Sequence, residues 1–512
     1  MSTEVPTVRT LADASAPAVQ ATRPRSTAGV VVMAVVLFAF AFQGSRGLWD
    51  PDEGRYTHVA LNMLQRGDWL VPYLDDAPHF TKPPLTYWAI AASVGTFGRS
   101  EWAVRLPNAL AFLLTVWSLF AISRWLLPER PWLPPLVYAT APFVYGTATI
   151  ATTDTMLAAF ETLAVLGFVR ALHAPATTRA RTANVLLMWL GFALAFLTKG
   201  PTGLLPLGAI VAFVATCAPG LGLRRLFHPA GLAVFAGAGL SWYLVVVIRT
   251  PGLLEYFLVH EVWGRVATSE HHRNSEWFGL VEVYLPVLVL GAMPWMWPAL
   301  RATWHWLRHR STPIWRVSVW RTNPAAAFAG LWFGLPLLVF CLARSRLPLY
   351  VLPSFAPLSV LLARCIDPAS FLLTRRRSAL AALIVLLVVG RFVAALLPSE
   401  LDASAMAAFI RDLPATPQKL MFVDEDPRYG LTFYIDVRLQ CVVTEPDDAD
   451  HVTLDEALGA EGPHTLFVVR RRHQVRFLQR VEQRGATTSQ LGQWGDRGFF
   501  VLGNGGVPRR RD

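Results

Sequence analysis

Apolar stretches close to twenty residues long follow one another along the chain, broken by short polar connections. About twenty apolar residues is the length a helix needs to cross the hydrocarbon of a bilayer. The pattern predicts eleven spans, at 28–43, 107–127, 132–150, 155–172, 183–198, 201–217, 229–249, 280–300, 325–342, 349–363 and 379–397. Arginines gather in alternate short connections: Arg124 and Arg130, Arg179 and Arg181, Arg224 and Arg225, Arg301 and Arg308, Arg364 and Arg377. Basic residues beside spans stay on the cytoplasmic side, so these connections and the N-terminal segment 1–27 are expected inside the cell. The first span lacks a following small-residue cleavage site and reads as a signal anchor. The expectation is a multi-pass protein of the bacterial inner membrane, with a transmembrane domain over 28–398.

Three segments on the opposite side are too long to be mere connections: 44–106, 250–279 and the tail 399–512. Within the second, Leu253–Val259 is amphipathic enough to lie in the interface. In the tail the periodicity changes. A helix is expected at Asp402–Leu413, strands at Lys419–Val423, Phe433–Thr444 and Thr465–Val469, and a basic helix at Arg471–Arg484. That pattern describes a small α/β domain in the periplasm.

Composition sharpens the class. Hydrophobic residues make up 54% of the 512 and charged residues only 16%, where a soluble chain carries about a quarter. A net charge of +11 would suit nucleic acid, but the charges follow the membrane pattern, and no nucleic-acid partner is expected. Lys82, Lys199 and Lys419 are the only lysines among 46 basic residues, so each stands out. Cys217, Cys341 and Cys365 fall in or beside apolar spans and Cys441 lies alone in the tail, which gives neither a disulfide framework nor a cysteine metal site.

Chemistry concentrates in the first outer segment. Asp50, Asp52 and Glu53 stand together at the mouth of the first span, beside Arg55 and Tyr56. A carboxylate at a water–membrane boundary can deprotonate an acceptor or position it. Lys82 is followed by Pro83 and Pro84, which stiffen the backbone, and a lysine so held offers a point charge to a phosphate. Acid cluster and pinned lysine together suggest a phosphate-bearing lipid and a group to be activated. Arg344 and Arg346, on the outer side against the inside bias, are expected to join Lys82 in a cationic ring. Lys199, at the end of a span, reads chiefly as a snorkelling lysine, with a supporting role at the site as the alternative. Glu161 and Arg391 lie within spans, where ionisable groups are costly, and a mutual ion pair is open to them. Their scarcity, with no internal repeat, argues against a lipid or glycan transporter.

The run Asp52-Glu53-Gly54-Arg55-Tyr56, followed by Gly67-Asp68-Trp69 and Lys82-Pro83-Pro84, resembles the first periplasmic loop of integral-membrane glycosyltransferases of the GT-C fold. Among these, the aminoarabinose lipid A transferases and their protein O-mannosyltransferase relatives are the nearest in layout. The likeness continues at Thr152-Thr153-Asp154, Leu197-Thr198-Lys199-Gly200-Pro201, His271-His272-Arg273-Asn274, Met293-Pro294-Trp295, Ala343–Tyr350 and Tyr429–Tyr434. The resemblance implies transfer of a sugar, with inversion, from a polyprenyl-phosphate donor to an envelope acceptor at the periplasmic face. A lipid A-type glycolipid is the favoured acceptor, a protein or polysaccharide the alternative. It implies Asp52 and Asp154 as catalytic carboxylates, with Arg55, Tyr56, Lys82, Arg265, Arg273 and Tyr350 around the donor phosphate, Arg346 being added by the residue reading and Glu53 as support. The aminoarabinose transferases carry a glutamate, linked to a metal, immediately before the lysine. Here that position is Thr81, so no cofactor is assigned, although His260, Glu261, His271 and His272 remain able to gather a divalent metal.

Overall fold

The computed structural model describes residues 25–175, 179–264, 276, 278–309, 322–367, 374–414, 416–445, 452–460 and 464–503. Arg265, Arg273, His271 and His272 lie outside them. Each of the eleven expected spans is helical in whole or in part. Among the described residues, six runs are long and apolar enough to cross a membrane: Glu101–Leu126, Thr153–His173, Arg179–Cys217, Pro229–Arg249, Pro324–Leu342 and Arg377–Leu396. The difference from eleven has three causes, the first being that the helix of the first expected span, Arg25–Phe40, is only 16 residues long. Arg179–Cys217 carries two expected spans joined at Gly200, and prolines divide others, because a proline lacks the N–H that would continue a helix. The stretch expected at 132–150 breaks before Pro142, and that at 280–300 around Pro294.

In chain order the N-terminal elements are α1 (Arg25–Phe40), α2 (Asp52–Arg66), the hairpin β1 (Tyr73–Leu74) and β2 (Ala77–Pro78), α3 (Leu85–Phe97), α4 (Glu101–Leu126), α5 (Leu133–Ala139), α6 (Pro142–Thr147), α7 (Thr153–His173) and α8 (Arg179–Lys199). The segment 44–106 is thus largely helical. Pro51 precedes α2, and Asp52 and Glu53 fill its first turn, where the helix dipole favours negative charge. Tyr56, Val59, Ala60 and Met63, spaced to share one face, are buried, and Gly67 ends the helix at φ 66. Pro83 and Pro84 start α3, since a proline belongs at a helix entrance.

α7 is the central pillar, with 78% of its apolar window buried, whereas the last of the six, Arg377–Leu396, has 0% buried and lies at the periphery of the bundle. α7 and α8 run antiparallel with their backbones in contact. A Cβ on Gly167 would come within 2.4 Å of the Met188 nitrogen, and one on Gly191 within 2.6 Å of the Ala164 nitrogen. Small residues permit such an approach where lipid offers no hydrophobic drive. The pairing sets the start of α7 beside the end of α8.

The C-terminal unit is a six-stranded sheet in the order β5-β4-β3-β6-β8-β7. Its strands are β3 (Lys419–Val423), β4 (Arg438–Val443), β5 (Val452–Thr453), β6 (Thr465–Arg470), β7 (Thr488–Trp494) and β8 (Arg497–Leu502). β3 to β6 are parallel, and β8 and β7 add antiparallel. Alternation along β3 sends Leu420 and Phe422 to the helix Ala403–Asp412, and Met421 and Val423 to the helix Arg471–Gln483, as a sheet covered on both faces requires. The strand expected over Phe433–Thr444 is shorter, because Tyr429–Phe433 forms a 3-10 turn. Arg471, Arg472 and Arg476 stay solvent-exposed while Phe477 and Val481 enter the core.

Candidate active site

The start of α2, the Lys82 segment, the start of α7 and the end of α8 enclose a cavity of about 280 Å³. Asp52, Arg55 and Tyr56 line it from successive positions on one face of α2, and Lys82 comes from just before α3. Asp154 and Lys199 face it from α7 and α8, with Tyr350 opposite. The helix that follows Leu253 adds Tyr256, His260 and Glu261. Six of the expected residues, Asp52, Arg55, Tyr56, Lys82, Asp154 and Tyr350, therefore meet in one place with Lys199 although they are spread along most of the transmembrane part of the chain.

The charges in this cavity stand in pairs. Arg55 Nη2 is 2.6 Å from Asp52 Oδ1, Lys199 Nζ is 2.5 Å from Asp154 Oδ1, and Lys82 Nζ is 3.9 Å from Glu261 Oε2. Lys82 also donates to the Thr81 carbonyl at 2.8 Å. Lys199 does not snorkel. Gly200, at φ 67, turns the chain at the end of α8, and the ammonium lies 4.4 Å from the centre of the Tyr350 ring. A cation at a helix C-terminus facing an anion at a helix N-terminus is favoured by both dipoles. Tyr56 is buried, which pushes its phenol up. It therefore stays a neutral hydroxyl.

His79 forms part of the wall and shares a hydrogen bond of 2.6 Å with the Thr81 hydroxyl. Burial, with the charges of Arg55 and Lys82, lowers its ring to about 4. It stays neutral at working pH and adds no charge. His79 and Tyr87 were absent from the expected set, although both lie within a few residues of Lys82. Among the described residues no three His, Cys, Asp or Glu side chains gather for a metal.

Two expected contributors stand elsewhere. Arg346 is buried behind the wall, donating to the carbonyls of Glu276 at 2.7 Å and Cys341 at 3.1 Å, so it ties chain segments together and does not line the cavity. Arg344 is exposed. Arg391 donates to the carbonyls of Ala41 and Tyr145 and covers the Tyr145 ring, and among the described residues no ion pair joins it to Glu161.

Glu53 is supporting in a literal sense. Fully buried, it accepts from Arg105 Nε at 2.7 Å and Ala151 N at 3.0 Å through Oε1. Oε2 accepts from Arg46 at 2.7 Å, Trp49 N at 2.9 Å and Arg105 Nη2 at 3.0 Å. Burial alone would raise its carboxyl, but Arg105, Arg46 and these hydrogen bonds hold it at about 2. One carboxylate thus joins the start of α2 to α4 and to the chain entering α7, and brings Asp52 and Asp154 to the same cavity.

An all-helical bundle with its charged cavity at one end, capped by an α/β unit, is the GT-C fold of integral-membrane proteins. The crystal structure of ArnT from Cupriavidus metallidurans bound to undecaprenyl phosphate superimposes with a TM-score of 0.73 at 22% identity, covering 94% of this chain and 99% of that one. The apo state of the same protein gives 0.74 at 22% identity, over 93% and 98%. The profile of the dolichyl-phosphate-mannose-protein mannosyltransferase family matches residues 81–242. The undecaprenyl phosphate-alpha-4-amino-4-deoxy-L-arabinose arabinosyl transferase of Yersinia pestis is 32% identical over 349 residues, or 66% of this chain. That of Pectobacterium atrosepticum is 32% identical over 347 residues. The chain spans 59% of the length of the Yersinia relative and 58% of the other.

Proposed function

We propose that the chain is a glycosyltransferase that moves a sugar from a polyprenyl-phosphate donor to an envelope acceptor, with a lipid A-type glycolipid favoured. The cavity faces the periplasm in this reading, with the N-terminus cytoplasmic and the C-terminal unit outside the membrane. The observation that carries it is the meeting of three cations, Arg55, Lys82 and Lys199, with the carboxylates Asp52, Asp154 and Glu261 in one small cavity. The acceptor oxygen bonds to the anomeric carbon from the side opposite the phosphate. The bond from that carbon to the phosphate oxygen breaks, and polyprenyl phosphate departs with the electron pair. Lys82 and Arg55 stabilise the charge that grows on the departing phosphate, where fixed electrostatics lower a barrier most. Asp52 takes the proton of a hydroxyl acceptor; an acceptor that is itself a phosphate has none to lose, and Asp52 then orients it.

The relatives' name, with undecaprenyl phosphate-alpha-4-amino-4-deoxy-L-arabinose as donor, supports a polyprenyl-phosphate donor that carries a 4-amino-pentose. The mannosyltransferase profile over 81–242 favours, as the second reading, a protein or polysaccharide acceptor. The test supplies purified protein with labelled undecaprenyl-phosphate aminoarabinose and, separately, lipid A, envelope protein and polysaccharide. Label on lipid A is the expected result; label on protein or polysaccharide selects the second reading. A donor left intact with every acceptor defeats both.

A further inference from the structure

The C-terminal unit is docked against the side of α2 that faces away from the cavity. Leu48–Asp50 pairs with the chain entering that unit: Asp50 N donates to Leu401 O and Ala403 N to Leu48 O, each at 2.9 Å. The Tyr434 hydroxyl accepts from Leu48 N at 2.9 Å and donates to Glu101 at 3.1 Å. The 3-10 turn Tyr429–Phe433 lies along α2. Its Thr432 hydroxyl is 2.8 Å from His58 Nδ1, and Tyr429 stacks on the His58 ring at 5.4 Å. At the centre Asp50, 3% exposed, accepts the Gly430 N–H at 2.9 Å.

Two glycines make this approach feasible. A Cβ on Gly54 would stand 1.9 Å from Asp50 Oδ1 and 2.3 Å from the Gly430 nitrogen, and one on Gly430 would stand 2.7 Å from Ala403 Cβ. Gly54 lies between Asp52 and Arg55, so the backbone that aims both cavity side chains rests directly on the C-terminal unit. A domain merely tethered to the membrane part would need no such contact.

We propose that the C-terminal α/β unit is a positioning element of the active site: Asp50, by clasping Gly430, sets the start of α2 and so the aim of Asp52 and Arg55 into the cavity. This rests on reading that cavity as the site of transfer. The clasp also senses protons. Burial pushes the Asp50 carboxyl up to about 7, against the Gly430 N–H and the charge of Arg428 on the C-terminal side, with Glu53 and Arg55 facing it from α2. Undocked, Asp50 returns to the ordinary value of 3.8. Docking therefore takes up a proton; it is fully favoured below the undocked value and loosens as pH rises through the docked one.

The experiment uses the full chain with Asp50→Ala, Asp50→Asn and Gly430→Ala, following transfer kinetics and hydrogen exchange of the α2 amides. Asp50→Ala and Gly430→Ala are expected to lower kcat about tenfold or more, as small misplacements of catalytic groups do. Exchange in α2 should rise, and the KM for donor should rise by less than kcat falls, because Lys82 and Lys199 still meet the donor phosphate from outside α2 when Arg55 is misplaced. Asp50→Asn keeps an acceptor for Gly430. It should recover most of the lost kcat and flatten the decline in kcat between about pH 4 and about pH 7. Wild-type α2 exchange in Gly430→Ala overturns the proposal, as does wild-type kcat with a loosened α2. So does an Asp50→Asn no better than Asp50→Ala. A wild type that transfers nothing defeats the assigned reaction, and exchange in α2 then decides by itself whether the C-terminal unit sets that helix.

Discussion

The two sides of α2 put neighbouring carboxylates to opposite uses. Asp52 points into the cavity, its side chain 40% exposed and paired with Arg55. Glu53, one residue and about a hundred degrees of helix further, is wholly buried among five donors. The first can reach a substrate; the second can reach only protein. Asp50, just before the helix, turns the third way, onto the C-terminal unit. Chemical identity and proximity in sequence do not assign a role here. Helix phase does.

The contrast is broken most severely at Glu53. Glu53→Ala strips the counter-charge from buried Arg105 and Arg46 and should destabilise the fold by about 3–5 kcal/mol, read as a large fall in unfolding temperature in detergent. Because its folded value is depressed to about 2 from 4.5, its stabilisation is present above the unfolded value. It is lost progressively as pH falls from about 4.5 through about 2. On the cavity side, Lys82→Ala should leave the unfolding temperature alone and reduce transfer by about 3–4 kcal/mol, the scale of losing a fixed donor to a developing anion. Lys199→Met leaves Asp154 without its cation and should reduce kcat/KM by about 1.5–3 kcal/mol. Lys199→Arg should recover only part, since a planar fork does not replace a point charge. His79→Gln marks the lower end. With the ring already neutral, it should move neither limb of the pH–rate profile, and the rate should stay within about threefold. A profile that loses a limb in this variant would show that His79 carries charge after all.

How much of this could be read from residues alone follows the range of the interactions. Asp52, Arg55 and Tyr56 share a face by spacing, and Lys82 is marked by its prolines. The phase of Glu53 was equally open to reading, since Pro51 followed by acids and by Tyr56, Val59, Ala60 and Met63 at helical spacing announces a helix. The pairing of Lys199 with Asp154 was not open, because it depends on how two spans cross at Gly167 and Gly191. Arg346 misled for a related reason: the charge bias of loops reports side of membrane, not direction of side chain. In the C-terminal unit β3 and β6 are buried apolar runs and declare themselves. β7, Thr-Ser-Gln-Leu-Gly-Gln-Trp, is a polar edge strand whose register comes from β8.

The most direct test of the division of labour across α2 pairs Asp52→Asn with Glu53→Gln and measures, for each, transfer from undecaprenyl-phosphate aminoarabinose and the unfolding temperature. Asp52→Asn is predicted to unfold like the wild type and to transfer about a hundredfold more slowly, whereas Glu53→Gln is predicted to unfold at a markedly lower temperature. Full transfer by a stably folded Asp52→Asn protein would contradict the account.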